Sequence, residues 1–339
     1  MSTRAAVIGA GSWGTAFAGL VAQNVDEVRL WCHSAKSADA INGTHHNPRY
    51  IADYELPVNV VATSSLGEAV CDASVVVLAL PSVHLRRVSG ELAEFLTRDV
   101  PVITLTKGIE AKTGMLMTEV AADELGSPER FCALSGPNHA EEVHLGMYSA
   151  AVLAGVDTSL TRSLLDIVAT PKFRVYVSPD VRGVETCGAV KNVIAIACGM
   201  AAGRGLGDNT LAVIMTRGIA EIGRVVNALG GDPMTCMGLA GMGDLVATCT
   251  SEHSRNRRFG EAFSRGMSLQ DFERESHMVV EGANAVISVR ELAHKMGVDV
   301  PITEAVWGLV HGGVAIDDVV EKLVGRPLTH EFYGMGKYN

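Results

Sequence analysis

Two patterns of apolar residues divide the chain. Up to about residue 178, short β-branched runs at 5–8, 28–31, 58–62, 74–80, 102–105, 131–134, 150–153 and 174–177 alternate with longer segments of helical period. That alternation predicts a parallel sheet with helices on both faces. Beyond it the β-rich runs largely stop. From 181 to 229 apolar residues recur every three or four positions, interrupted at Gly203-Arg204-Gly205-Leu206-Gly207, and segments 259–265, 283–296 and 303–311 continue the pattern. This predicts helices. The expected organisation is an α/β domain over 1–180 followed by an all-α domain over 181–339.

Composition narrows the class. A chain of 339 residues is long enough for two cores, and 47 % hydrophobic against 19 % charged residues excludes wholesale disorder. The net charge of −10 argues against a nucleic-acid-binding surface while leaving room for a local basic pocket. Seven cysteines without a C-x-x-C pair read as reduced thiols, mostly core filler, rather than as a disulfide framework or zinc site. His45 and His46 lack further ligands at metal spacing, so no metal is expected. The first apolar run ends at glycine before reaching signal-peptide length, and 193–202 is too short for ~30 Å of hydrocarbon. These features predict a cytoplasmic protein with no stable membrane insertion.

The first β-run leads into Gly9-Ala10-Gly11-Ser12-Trp13-Gly14, then a helical segment, then the second β-run. In that context G-x-G-x-x-G is a dinucleotide fingerprint, and the first domain is expected to be of the Rossmann type. Gly9 permits the tight turn, Gly11 admits a pyrophosphate, and Gly14 lets helix and strand pack closely. The second run ends Trp31-Cys32-His33-Ser34-Ala35-Lys36, with no carboxylate to repel a 2′-phosphate. His33, Ser34 and Lys36 are suited to accept one, so NADPH is expected to serve at least as well as NADH.

Further along, chemistry-bearing side chains sit at predicted element ends. Lys107 follows the fifth β-run, and Ser135-Gly136-Pro137-Asn138-His139-Ala140 follows the sixth, with Gly136 expected to allow close approach and Pro137 to open a helix. Lys191, expected near the start of a long apolar helix, is surrounded by residues that disfavour a charge and suit it to proton transfer. Asp244, in Gly238-Leu239-Ala240-Gly241-Met242-Gly243-Asp244-Leu245, is able to take a substrate hydroxyl or to hold Lys191. Ser254-Arg255-Asn256-Arg257-Arg258 marks a helix start with the donors for one phosphate dianion.

In this order the motifs G-x-G-S-W-G-T-A, T-K-G, S-G-P-x-H-A-E-E-V, K-N-V, G-L-G-D-N-T, G-L-A-G-M-G-D-L and S-R-N-R-R-F-G resemble bacterial NAD(P)-dependent glycerol-3-phosphate dehydrogenases from Val7 to about Glu331. The resemblance implies reversible reduction of dihydroxyacetone phosphate to sn-glycerol 3-phosphate with NADPH or NADH, supplying glycerophospholipid synthesis. Carried onto matching positions, it implies Lys191 as the catalytic proton donor and acceptor, also touching substrate. Lys107, Gly136, Asn138, Asp244, Ser254, Arg255 and Asn256 are the implied substrate contacts. Gly9, Gly11, Ser12, Trp13, Gly14, His33, Lys107, Ala140, Arg255, Val279 and Glu281 are the implied cofactor contacts. A homodimer is implied by the resemblance alone.

Three positions depart from the family pattern: Asn138 stands where Ser or Thr is usual, Leu211 replaces a basic residue, and Ala283-Asn284-Ala285 follows Val280-Glu281-Gly282. The same architecture would also suit a hydroxy- or keto-acid dehydrogenase of the ketopantoate type, or a relative that binds NAD(P) without turnover.

Overall fold

A computed structural model describes residues 3–276, 279–327, 330–331 and 333–335. The chain forms two compact units, Met1–Lys107 with Leu116–Val181, and Gly108–Met115 with Arg182–Asn339. The single boundary expected at 180/181 therefore misses a short excursion, because residues 108–115 belong with the second unit.

The first unit is built on one eight-stranded sheet. Its strands are β1 (Arg4–Ile8), β2 (Glu27–Trp31), β3 (Val60–Thr63), β4 (Val75–Leu78), β5 (Val102–Thr104), β6 (Phe131–Ser135), β7 (Ser149–Gly155) and β8 (Phe173–Ser178), in the order β3-β2-β1-β4-β5-β6-β7-β8. All eight β-runs of the sequence are strands. β4 lies at the centre and is buried on both faces, which is why it reads Val-Val-Val-Leu without alternation. β8 lies at the edge and exposes Arg174 and Tyr176. Strand order reverses between β1 and β4, the crevice where open α/β sheets bind ligands.

One pairing departs from the expected parallel sheet: β7 runs antiparallel to β6. The β6–β7 link, residues 136–148, holds the four-residue helix Ala140–Val143. Gly136, at the turn, packs on β7 itself: a Cβ there would meet Ala150 O at 2.6 Å and Ala151 Cα at 2.7 Å.

The second unit is helical, as expected, and centres on the 23-residue helix Val181–Gly203. This helix is long and apolar enough to cross a bilayer, which corrects the reading of 193–202 alone; 83 % of its most apolar stretch is buried within the protein, as in a core helix. Helix Arg255–Ser264 crosses it backbone to backbone. A Cβ on Gly199 would lie 2.0 Å from Arg257 O, and one on Gly260 2.2 Å from Ile196 O. Helix Asp208–Ala228 contributes Glu221, fully buried, which accepts from the Ile302 and Thr303 amides at 2.8 and 2.9 Å and so caps helix Pro301–Val310. Burial pushes the Glu221 carboxyl up from its ordinary value, and these hydrogen bonds pull it back.

The crossing leaves no room for a side chain. Gly260→Ala is expected to destabilise the protein by about 3 kcal/mol, the upper end for overpacking, read as a lower urea midpoint at unchanged slope.

Candidate functional site

In the first unit the glycine fingerprint closes the turn from β1 into helix Ser12–Val21. Gly9 has φ +118°, and a Cβ there would lie 2.4 Å from Ala79 O, just beyond β4. Gly14 sits against Gly9 O, at 1.8 Å from an added Cβ. Gly11 meets nothing within 4 Å, so its open side is the one where an anion can approach the backbone. No side chain caps this helix, which leaves its first amides directed at that space. Asn47, which sequence reasoning missed, holds the turn in place: its buried side-chain amide donates to Ala10 O at 2.9 Å and Thr15 Oγ1 at 2.8 Å. No local pattern marks it, because its partners lie more than thirty residues away.

Trp13 directs its ring into the unit, edge-on to Phe17 at 5.5 Å. Beyond β2, His33, Ser34 and Lys36 are all exposed, and the His33 ring stands edge-on to Trp31. Thr106 ties the ends of β4 and β5 together, donating to Leu80 O at 2.9 Å, and Lys107 follows it. Pro137 does not open a helix; His139 stands at the N-cap position of Ala140–Val143, and 136–139 form an irregular bend. Within the bend the Asn138 Nδ2 is buried without a hydrogen-bond acceptor. A buried amide donor of this kind costs stability unless a ligand oxygen meets it.

In the second unit Lys191 lies in the middle of helix Val181–Gly203 rather than near its start, and is 5 % exposed. Its Nζ donates to Asp244 Oδ1 and to Thr248 Oγ1, the latter at 2.7 Å. Of the two roles open to Asp244 in the sequence, the structure shows it holding Lys191. Glycine-rich residues Leu239–Gly243 make a single π-helical turn that delivers Asp244 as the first residue of helix Asp244–Thr250. Thr248, one turn on, donates to Asp244 O at 2.6 Å and so keeps a lone pair aimed at Nζ. Sequence reasoning missed Thr248, although the i, i+4 spacing from Asp244 carries it.

Ser254 caps helix Arg255–Ser264, accepting from the Arg257 amide at 3.3 Å. Arg255 is exposed and reaches Val279 O at 3.5 Å. Asn256 points inward, and its Oδ1 accepts from Gly282 N at 2.9 Å. Gly282 is also pressed onto the Lys191 helix, where an added Cβ would lie 2.6 Å from Asn192 O. Val279 and Glu281 are thereby placed beside the helix that carries Lys191. Arg257 serves the fold, bridging Thr250 O and Glu261.

The sequence agrees with known proteins over nearly its whole length. Residues 4–161 match the family model for the NAD-dependent glycerol-3-phosphate dehydrogenase N-terminus, and residues 180–321 match that for its C-terminus. A glycerol-3-phosphate dehydrogenase [NAD(P)+] of Corynebacterium aurimucosum is 45 % identical over 323 residues, 95 % of this chain and 97 % of the relative. One from Bacillus cereus is 43 % identical over 97 % of each chain. The crystal structure of glycerol-3-phosphate dehydrogenase from Coxiella burnetii superposes with a TM-score of 0.91 at 34 % identity, covering 96 % of this chain and 99 % of that one. With both family models matched and relatives up to 45 % identical over nearly its whole length, this chain belongs to the NAD-dependent glycerol-3-phosphate dehydrogenase family.

Proposed function

We propose that the chain is an NAD(P)-dependent glycerol-3-phosphate dehydrogenase that interconverts dihydroxyacetone phosphate and sn-glycerol 3-phosphate. The observation that carries this reading is Lys191, a buried ammonium held by Asp244 and Thr248 in a chain whose residues 4–161 and 180–321 match the family models. The first unit fits a dinucleotide: the open face of Gly11 and the uncapped helix behind it suit a pyrophosphate, with Gly9, Ser12, Trp13 and Gly14 supplying backbone to it. When bound, the nicotinamide supplies or takes the hydride at the carbon that changes oxidation state.

The residues of the chain supply the rest. Lys191 gives its Nζ proton to the oxygen that becomes the hydroxyl, and takes it back in the reverse direction. Asp244 compensates the ammonium where water does not, and Thr248 keeps the amine from rotating away. Arg255 and Ser254, with the first turn of their helix, anchor the phosphate, so remote binding energy positions the carbonyl. Lys107, Gly136, Asn138 and Asn256 complete the proposed substrate contacts. Asn138 uses the amide that the protein leaves without an acceptor, and Asn256 acts through the backbone of 279–282. His33, with Lys107, Ala140, Arg255, Val279 and Glu281, is assigned to the cofactor. We further infer a cytoplasmic homodimer, without membrane insertion, that supplies the backbone of glycerophospholipids. Burial of the one helix of bilayer length among the described residues supports the absence of membrane insertion, and resemblance to the family supports the rest.

Replacement of Lys191 by Ala should lower kcat by ~10²–10⁴-fold, the range for general acid catalysis, with NADPH affinity by fluorescence titration nearly unchanged; near-normal kcat would remove it from the mechanism. Arg255→Ala should cost roughly ten- to hundredfold in kcat/KM for dihydroxyacetone phosphate, as expected for a charged hydrogen bond. Unphosphorylated dihydroxyacetone should lose far less, and equal losses on both would refute the anchor. Initial rates with NADPH should at least equal those with NADH, and Lys36→Glu should raise the KM for NADPH about tenfold while sparing NADH. A Lys36→Glu enzyme with an unchanged cofactor ratio would show that the loop after β2 does not read the 2′-phosphate.

A further inference from the structure

The second unit buries more thiols than the reaction uses. Cys187, Lys191 and Cys198 are spaced by four and seven residues along helix Val181–Gly203, so they share one face. Cys236, Asp244 and Cys249 come from the segment that meets it. Cys187 Sγ lies 3.7 Å from Cys236 Sγ, and the Cys249 thiol lies beside that of Cys198. Two thiol contacts thus flank the Lys191–Asp244 ion pair, and all four cysteines are reduced and buried.

The two contacts differ in their freedom to react. Cys249 sits in a regular helix, and contact with the Cys198 thiol, together with burial, pushes its thiol well up from the ordinary value, which keeps it a poor nucleophile. Cys236 lies instead on the short 3₁₀ turn Pro233–Met237, whose Met234 and Met237 are 69 % and 61 % exposed. Only the Cys236 side of that turn faces inward, so a small outward opening of five residues admits a small neutral oxidant. Bringing the two sulfurs to bonding distance needs a movement of about 1.7 Å, which a surface turn supplies more easily than a buried helix.

We propose that Cys187 and Cys236 form a disulfide under hydrogen peroxide and that this bond withdraws Asp244 from Lys191. One thiol gives up its proton and attacks a peroxide oxygen as the thiolate, the O–O bond breaks, and the leaving hydroxide takes that proton, so a sulfenic acid and water result. The second thiol then displaces the sulfenic hydroxyl as water, and the S–S bond forms. In sum the two thiols lose two electrons and two protons, and peroxide is reduced to two waters. Gly241 transmits the shift. A Cβ on it would lie 2.2–2.5 Å from the backbone atoms of Cys236, so the π turn that carries Asp244 rests directly on that residue. Lys191, one turn from Cys187 on the core helix, stays in place while its counter-ion moves.

The second half of this proposal rests on the role assigned to Lys191, and the first half is read without activity. The reduced full-length protein is titrated with peroxide, digested without reductant, and analysed by mass for the Cys187–Cys236 cross-linked peptide; oxidation of the exposed Cys71 shows that the oxidant has acted. The expected result is a cross-link that accumulates as the rate falls at least about tenfold, with recovery in dithiothreitol. Cys236→Ser and Cys236→Ala should both keep their starting rate after the same treatment, whereas Cys71→Ser should be inactivated like the parent. Complete oxidation of Cys71 without the cross-link would overturn the proposal. So would a cross-linked enzyme at full rate, or equal inactivation of the Cys236 variants. A reduced enzyme with no turnover at all would instead refute the functional reading, and the mass analysis would still decide the thiol pair.

Discussion

An ammonium buried in the middle of an apolar helix is the constraint around which the second unit is arranged. Removing that charge from water costs several kcal/mol, and the cost is tolerable only where a carboxylate and a hydroxyl replace the lost hydration. Asp244 and Thr248 do so from one helical turn. The carboxylate can reach Nζ only because its helix starts at that point, and the π turn before it sets the start. Burial also removes the freedom that a surface lysine keeps, so the proton is presented in one direction.

Close backbone contact is the second device, and it recurs in both units. Gly14 on Gly9 and Gly136 on β7 set the turns of the first unit, while Gly199, Gly260 and Gly282 bring two helix starts against the core helix of the second. Gly14 holds the turn that opens the helix-terminal amides at Gly11, and Gly199, Gly260 and Gly282 fix the helix that begins at Arg255 and the segment at 279–281. Binding groups on the surface are thus held by contacts deep in the fold, with little help from their own neighbours.

Much of this was legible in the residue pattern, because the information was local. Eight strands, the fingerprint turn and the start of the helix at Arg255 follow from spacing within a few residues, as does the burial of Lys191 from the apolar residues around it. What stayed hidden depends on partners distant in sequence. The antiparallel direction of β7 shows only in its pairing with β6, and Gly136 packs closely on β7 beside it. Asn47 acts on a turn more than thirty residues away, and Lys191 lies deeper in its helix than the apolar run around it implies. Thr248 was within reach, since it stands one turn from Asp244, but a threonine in an apolar helix carries no mark of its own until its neighbour is known to be charged.

The excursion at 108–115 bears on how the molecule is made. Gly114 packs beside Leu292, yet the two are separated by most of the later chain. At ~5–20 residues per second, a ribosome that has finished Met115 needs roughly 10–35 s more to reach Leu292. During that interval the segment has none of its later partners, although the sheet on either side of it is already available to fold. A fragment beginning at residue 182 would meet the converse difficulty, carrying every helix of the second unit while missing the piece of chain that Leu292 packs against. The second unit therefore needs residues 108–115 as well as the helices from 182 on, and this contact cannot form before Leu292 has been made.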